Sequence, residues 1–219
     1  MKKITIGPAI RKVAPDYTGV VLICSLVNTD SDEKLWMEMN AEIDAFRRRY
    51  VVEDINKLPG IYEMRQLYKR LGKDPNRYRP SAEALCRRIL KDKNLYRINT
   101  LVDIINLISV HTGFSIGGFD GDKIVGDLQL GVGAMGEYFN AIGRGALNIE
   151  NLPVYRDDLG GIGTPTSDEE RTKIEIHTKK LLMIINSADG TEGLDDALAL
   201  SERLLADYLQ AKEMVTFRL

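Results

Sequence analysis

Apolar positions along this chain change spacing several times, and each spacing predicts an element. Ile4 to Ile6 and Gly19 to Val27 predict strands; within the second, Val20-Val21-Leu22-Ile23 is unbroken and largely β-branched, which suits a sheet buried on both faces. From Asp32 to Tyr50 the residues Trp36, Met39, Ile43, Phe46 and Tyr50 recur at i+3 and i+4, the period of an amphipathic helix. Asp32 and Glu33 in its first turn and Arg47-Arg48-Arg49 in its last complement the helix dipole, so the arginine triplet reads as local stabilisation. Pro59 opens a second helix, with Ile61, Met64, Tyr68 and Leu71 on one face and Gly72 closing it. Asp74-Pro75-Asn76 is a turn, and Ser81 is expected to cap a third helix, Ala82 to Leu90.

The segment Ile98 to Val110 stands apart. At about 100° per residue, Leu101, Val102, Ile104, Ile105, Leu107 and Ile108 leave almost no polar side, so the helix should be buried on most of its circumference. Its exception is a stripe: Asn99, Asp103 and Asn106 fall at i, i+4 and i+7, on one face. Polar groups carried into a core need partners. Two readings stay open: Asn99 caps the helix and the stripe knits neighbouring loops together, or the stripe faces a ligand cavity.

Beyond Thr112-Gly113 the chain turns glycine-rich, through Ile116-Gly117-Gly118-Phe119-Asp120, a strand-like Ile124 to Leu130, and Gly131 to Glu137. Short strands are predicted at Leu152 to Tyr155 and Leu181 to Ile185, and a mobile or solvent-facing loop at Gly160 to Glu170. An amphipathic helix from about 194 to 212 closes the reading, with Leu194, Leu198, Leu205, Tyr208 and Leu209 inward.

Composition narrows the class. Of 219 residues, 44% are hydrophobic and 28% charged, which excludes disordered and fibrous classes and fits one domain over residues 1–219. No apolar run reaches the ~18 residues of a membrane span, and the opening Met1-Lys2-Lys3 does not lead into a signal-peptide core, so a cytoplasmic, non-membrane protein is expected. Cys24 and Cys86 read as reduced core thiols. The net charge of -2 argues against a protein coated in positive charge, and no DNA contact is expected. Charge is nonetheless uneven: between Arg65 and Arg97 eleven Lys or Arg stand against Asp74, Glu83 and Asp92. That basic stretch is either a solvated face or a contact for a polyanion.

Familiar catalytic signatures are weak. Gly131-Val132-Gly133-Ala134-Met135-Gly136 follows a strand and matches a dinucleotide-binding turn, but Gly143 and Gly145 interrupt the helix that must follow, which leaves a nucleotide-dependent oxidoreductase on this match alone. Asp120, Asp122 and Asp127 fail the calcium-loop spacing, since Ile124 and Gly131 occupy ligand positions, so Asp120-Gly121-Asp122 reads as a turn. His111 and His177 have no partner at metal-ligand spacing. No metal or cofactor is expected, and an enzyme built from these residues would place water and substrate with backbone amides and hydroxyls.

Three long stretches carry a resemblance: Arg65 to Pro75, Arg79 to Ile89, and Ile98 to Asn106. With Ile116-Gly117-Gly118-Phe119-Asp120, Gly136-Glu137, Tyr155-Arg156-Asp157 and Thr178 in the same order, the chain resembles freestanding relatives of the B-three/B-four domain of the phenylalanyl-tRNA synthetase β subunit, over roughly residues 20 to 190. The resemblance implies an α+β fold with helices against a largely antiparallel sheet. It also implies a cavity which in the synthetase hydrolyses tyrosine wrongly esterified to phenylalanine tRNA. Synthetase domains usually carry His where this chain has Gly117, whereas the freestanding relatives generally have Gly.

On that resemblance the expected function is a tRNA-binding, editing-like domain that hydrolyses mischarged aminoacyl-tRNA in trans and does not aminoacylate on its own. The alternative is a non-catalytic module binding RNA or a free amino acid. Expected partners are tRNA or aminoacyl-tRNA, with a small-molecule amino acid as the other ligand. Expected substrate-binding residues are Asn99, Asp103, Asn106, Gly117, Gly118, Phe119, Asp120, Glu137 and Thr178; expected tRNA contacts are Arg65, Arg79, Arg87 and Arg88. Within this set the stripe would hold the Gly117-Gly118 loop against a substrate, and the arginines would meet phosphates without reading sequence.

Overall fold

A computed structural model describes residues 2–219. Strand β1 (Ile4–Ile6) leads into α1 (Pro8–Val13), where Pro8 sits in the first turn and its missing N–H is harmless. After β2 (Thr18–Ser25) come four helices in succession: α2 (Glu33–Arg49), α3 (Pro59–Arg70), α4 (Ser81–Leu90) and α5 (Thr100–Thr112). The glycine-rich half then folds as short strands, β3 (Ser115–Asp120), β4 (Leu128–Val132), β5 (Tyr138–Ala141), β6 (Gly145–Asn148), β7 (Pro153–Asp157) and β8 (Gly160–Gly163). The longer β9 (Lys180–Ser187), α6 (Leu194–Leu209) and β10 (Lys212–Arg218) complete it.

Two four-stranded sheets result, ordered β10-β2-β9-β3 and β1-β4-β7-β8, with β5 and β6 as a separate hairpin. Every pairing is antiparallel except β1 with β4. The first sheet is a middle layer. Val20, Leu22 and Cys24 of β2, with Leu181, Met183 and Ile185 of β9, face the helices, while Val21, Leu182 and Ile184 face the second sheet. Strict alternation between two apolar environments is what a period of two produces when both faces are covered. The fold is therefore α+β, with α2, α4, α5 and α6 on one face of a largely antiparallel sheet and α1 and part of α3 in the core on the other.

Several boundaries move from those the sequence predicts. Pro80, not Ser81, precedes α4, and Ser81 makes no side-chain cap. The strand expected at Ile124 to Leu130 starts later, at Leu128, because Gly126 turns the chain at φ +75°. The last helix ends at Leu209, where Gln210 enters the left-handed region at φ 52°, and the chain returns as β10 along β2. The segment expected to be a mobile loop contains β8 and a buried turn: Ile162 to Thr166 are all inside.

Candidate functional site

Helix α5 is buried as expected, and the structure divides its polar stripe. The Asn99 side chain accepts from the Val102 amide at 3.0 Å, an N-cap, and Gly113 ends the helix at φ 77°. Asp103, wholly buried, accepts from Ser31 Oγ at 2.5 Å, Trp36 Nε1 at 2.7 Å and the Ile98 amide at 3.2 Å. Asp103 thereby ties α5 to the start of α2 and to the strand-helix loop before it. Asn106 does something else: half-buried, it makes no hydrogen bond to the described residues and lines a cavity.

That cavity, about 580 Å³, lies between α5, the N-terminus of α4, β3 and the turn after β8. Its apolar lining comes from Leu85, Val102, Ile105, Ile116, Ile142 and Ile174. Ser81, Tyr96, Asn106, Arg144 and Ser167 also line it, and among the described residues their side chains have no hydrogen-bond partner. A concave apolar site with a few convergent free polar groups is the usual form of a small-molecule pocket.

Gly118 forms part of the lining. A Cβ there would sit 2.5 Å from Ile105 Cδ1 and 3.1 Å from Ile174 Cδ1, so any side chain would collide with residues of the cavity wall. Gly117 faces the other side of the strand, where a Cβ would lie 2.9 Å from the Phe119 ring. On the free edge of β3 the Gly118 amide donates to Asp168 Oδ2 at 3.4 Å. Burial pushes this carboxyl up to about 8, opposed only by that one amide.

Asp168 is placed by a turn built from hydroxyls. Thr164 Oγ1 accepts from the amides of Thr166 and Ser167, both at 3.1 Å, and donates to the Ser167 carbonyl at 3.1 Å. The turn is then bolted outward: the Ser81 amide donates to Pro165 O at 2.7 Å, Tyr68 Oη meets Thr166 Oγ1 at 2.9 Å, and the Ile142 amide donates to Asp168 O at 3.0 Å. The flexibility expected of this glycine-rich stretch is removed by these bonds. Sequence reasoning missed Asp168; the cluster Thr164-Pro165-Thr166-Ser167-Asp168 signals a turn, but nothing in it shows that the turn faces α5.

The other expected substrate residues lie elsewhere. Phe119 is fully buried in the core between the sheets. Asp120 accepts from Thr178 Oγ1 at 2.9 Å and from the Asp122 amide at 3.2 Å, closing the turn expected there and tying the loop before β9 to the end of β3. Glu137 pairs with Arg156 at 2.5 Å and accepts from the Ala134 amide at 2.7 Å in the β4–β5 turn. None of these lines the cavity. The expected glycine motif runs from β4 through that turn into a strand rather than a helix, and a Cβ at Gly133 would lie 1.8 Å from Ile149 O. It is a packing glycine, and the turn offers no helix N-terminus for a pyrophosphate.

Of the four expected tRNA contacts, two are held by Glu83. Arg65, buried, donates from Nη1 to Glu83 Oε2 at 2.7 Å and to Pro75 O at 3.2 Å, and from Nη2 to Asn76 Oδ1 at 2.8 Å. Arg87 Nε donates to Glu83 Oε1 at 2.7 Å. The buried Glu83 thus engages both; Arg65 is enclosed with it, while Arg87 keeps part of its side chain at the surface. Arg79 remains half exposed, 3.9 Å from Glu83. Arg88 donates to Asn94 O at 2.6 Å and lies 4.1 Å over the ring of Tyr96, which lines the cavity. His111 pairs with Glu42 at 3.1 Å in a separate groove beside α2, and His177 is exposed beside Glu175.

Among the described residues no three His, Cys, Asp or Glu side chains gather to hold a metal ion, and no helix is long and apolar enough to cross a membrane. No curated protein matches the chain. A solved N-terminal fragment of the phenylalanyl-tRNA synthetase β subunit from Pyrococcus horikoshii is similar in fold, with a TM-score of 0.51 and 14% identity over 99% of this chain. The chain spans about half of that fragment, 53% of it. The sequence pattern of the B3/4 domain matches residues 63–203, which contain α4, α5, β3 and the Asp168 turn, the elements that wall the cavity. The chain therefore belongs to the B3/4 domain family.

Proposed function

We propose that the chain acts as one unit that binds the aminoacyl end of a tRNA, with the amino acid in the α5–β3 cavity, and hydrolyses the ester of a mischarged tRNA. One observation carries this reading: the cavity joins an apolar lining to side chains of Ser81, Asn106 and Ser167 that have no protein partner and are free for a ligand. Tyr96 at the wall carries Arg88 over its ring, and Arg144 reaches the same cavity, so positive charge stands where a phosphate backbone would leave. The lining contains no imidazole or thiol. Hydrolysis would then depend on water held by hydroxyls and amides, and the proposal assigns Ser81 and Ser167 to that task.

The absence of an imidazole or thiol favours a second reading, in which the cavity binds an aminoacyl group without turning it over. A deacylation screen over misacylated tRNAs separates them. The hydrolase reading expects one or more esters to be cleared well above the uncatalysed rate, with Asn106→Ala slowing this at least tenfold while the melting temperature holds. Saturable binding with every ester left intact would select the binding module. A cytoplasmic setting belongs to the same proposal and is supported by two free, buried thiols, Cys24 and Cys86.

A further inference from the structure

Resting on that reading, we infer that Asp168 receives the free α-ammonium group of the amino acid held in the cavity, so that the site takes unblocked aminoacyl groups and rejects N-acylated ones. Asp168 lines the cavity, and only one of its carboxyl oxygens is engaged: Oδ2 accepts from the Gly118 amide, and among the described residues nothing donates to Oδ1. No cation neutralises it. Lys173 lines the same cavity but pairs with Glu170 at 2.7 Å, and Arg144 makes no ion pair. A carboxyl in mostly apolar surroundings with no internal counter-charge gains most from a ligand that brings one.

Its position is fixed in advance. The Ile142 amide holds the Asp168 carbonyl at 3.0 Å, and a bridge pairs Asp168 with Gly163. A Cβ at Gly163 would lie 2.4 Å from Oδ1, and one at Gly117 would lie 3.8 Å from it, so glycine backbone closes around the carboxyl. A ligand whose ammonium meets Asp168 beside Gly118 has Ile105 and Ile174 within reach of its side chain. Those are the two demands of an apolar α-amino acid: a fixed carboxyl for its nitrogen, which the arriving ammonium holds ionised, and an apolar wall for its side chain. N-acylation removes the charge and adds bulk at the same atom.

The test uses small probes and the whole chain. L-Phenylalaninamide and L-leucinamide, and their N-acetyl forms, are titrated while the Gly118 amide resonance is followed by NMR. The expected result is saturable binding of at least one free amide and at least tenfold weaker binding of its N-acetyl form, a preference that Asp168→Asn abolishes. Equal or tighter binding of the N-acetyl probe, no binding of either form, or a preference that survives in a folded Asp168→Asn protein would overturn the inference. Should that variant fail to fold, the comparison of the two probes on the natural chain decides alone. Deacylation is scored separately: intact esters alongside a clear preference for free amines sink the hydrolase reading only, and the reverse sinks this one only.

Discussion

Asp103 and Asn106 stand less than one helical turn apart, yet their substitutions should separate cleanly. Asp103→Ala strips three donors of their acceptor, among them the buried Trp36 N–H, and is expected to cost about 2–4 kcal/mol in urea denaturation. Asn106→Ala breaks no bond to the described residues, so stability should stay within about 1 kcal/mol while cavity binding falls. The sequence placed all three stripe residues on one face, and it could not reveal which had a partner, because Trp36 and Ser31 lie some seventy positions away. A pH signature belongs at this scale too. Burial holds Asp168 up to about 8, and burial with Asp189 nearby holds Glu63 up to about 7. In the unfolded chain such groups titrate at about 4, so between about pH 4 and 8 the folded state binds the extra protons and stability falls as pH rises. Denaturation at pH 5 and pH 8 should show that loss, and Asp168→Asn should reduce it; an unchanged slope would mean the carboxyl is not held protonated.

At the level of elements, α3 and α4 are joined by charge. Glu83 on α4 sits between Arg65 on α3 and its own neighbour Arg87, and removing the carboxylate leaves a guanidinium buried without its partner. Glu83→Ala is expected to cost about 3–5 kcal/mol, read as a lower denaturation midpoint, whereas exposed pairs such as Lys57 with Asp54 should contribute under about 1 kcal/mol. The long helices were legible because each shows a full amphipathic period between a capping residue and a stop, as with Asp32 before α2 and Gly113 after α5. The two long inner strands, β2 and β9, were legible as apolar runs. The hairpin β5–β6, strand β8 and strand β10 were not. They are short or exposed, and their pairing depends on partners distant in sequence rather than on a local pattern. The basic stretch is legible in the same partial way: charge is visible in sequence, but the engagement of Arg65 and Arg87 by Glu83 is not.

For the molecule as a whole, the basic stretch divides into cations spent inside and cations left at the surface. If tRNA binds across the cavity mouth, Arg79→Ala and Arg88→Ala should each lower the salt dependence of binding by about one in the slope of log affinity against log salt. Arg65→Ala should instead lower the melting temperature and leave the slope of the folded fraction alone, and filter binding across a salt series checks both. The layered core also has a consequence in time. Strand β2 lies in the middle of its sheet because β10 pairs along it, joining residues 18–25 to residues 212–218, and the Leu219 amide donates to Gly19 O at 3.0 Å. Contacts so remote in sequence form late and slowly. During synthesis the β2 edge therefore stays open until residues 212–218 have emerged, and over that interval Val20 to Ile23 form an apolar strand with an unpaired edge, the stretch where a chaperone would first be needed.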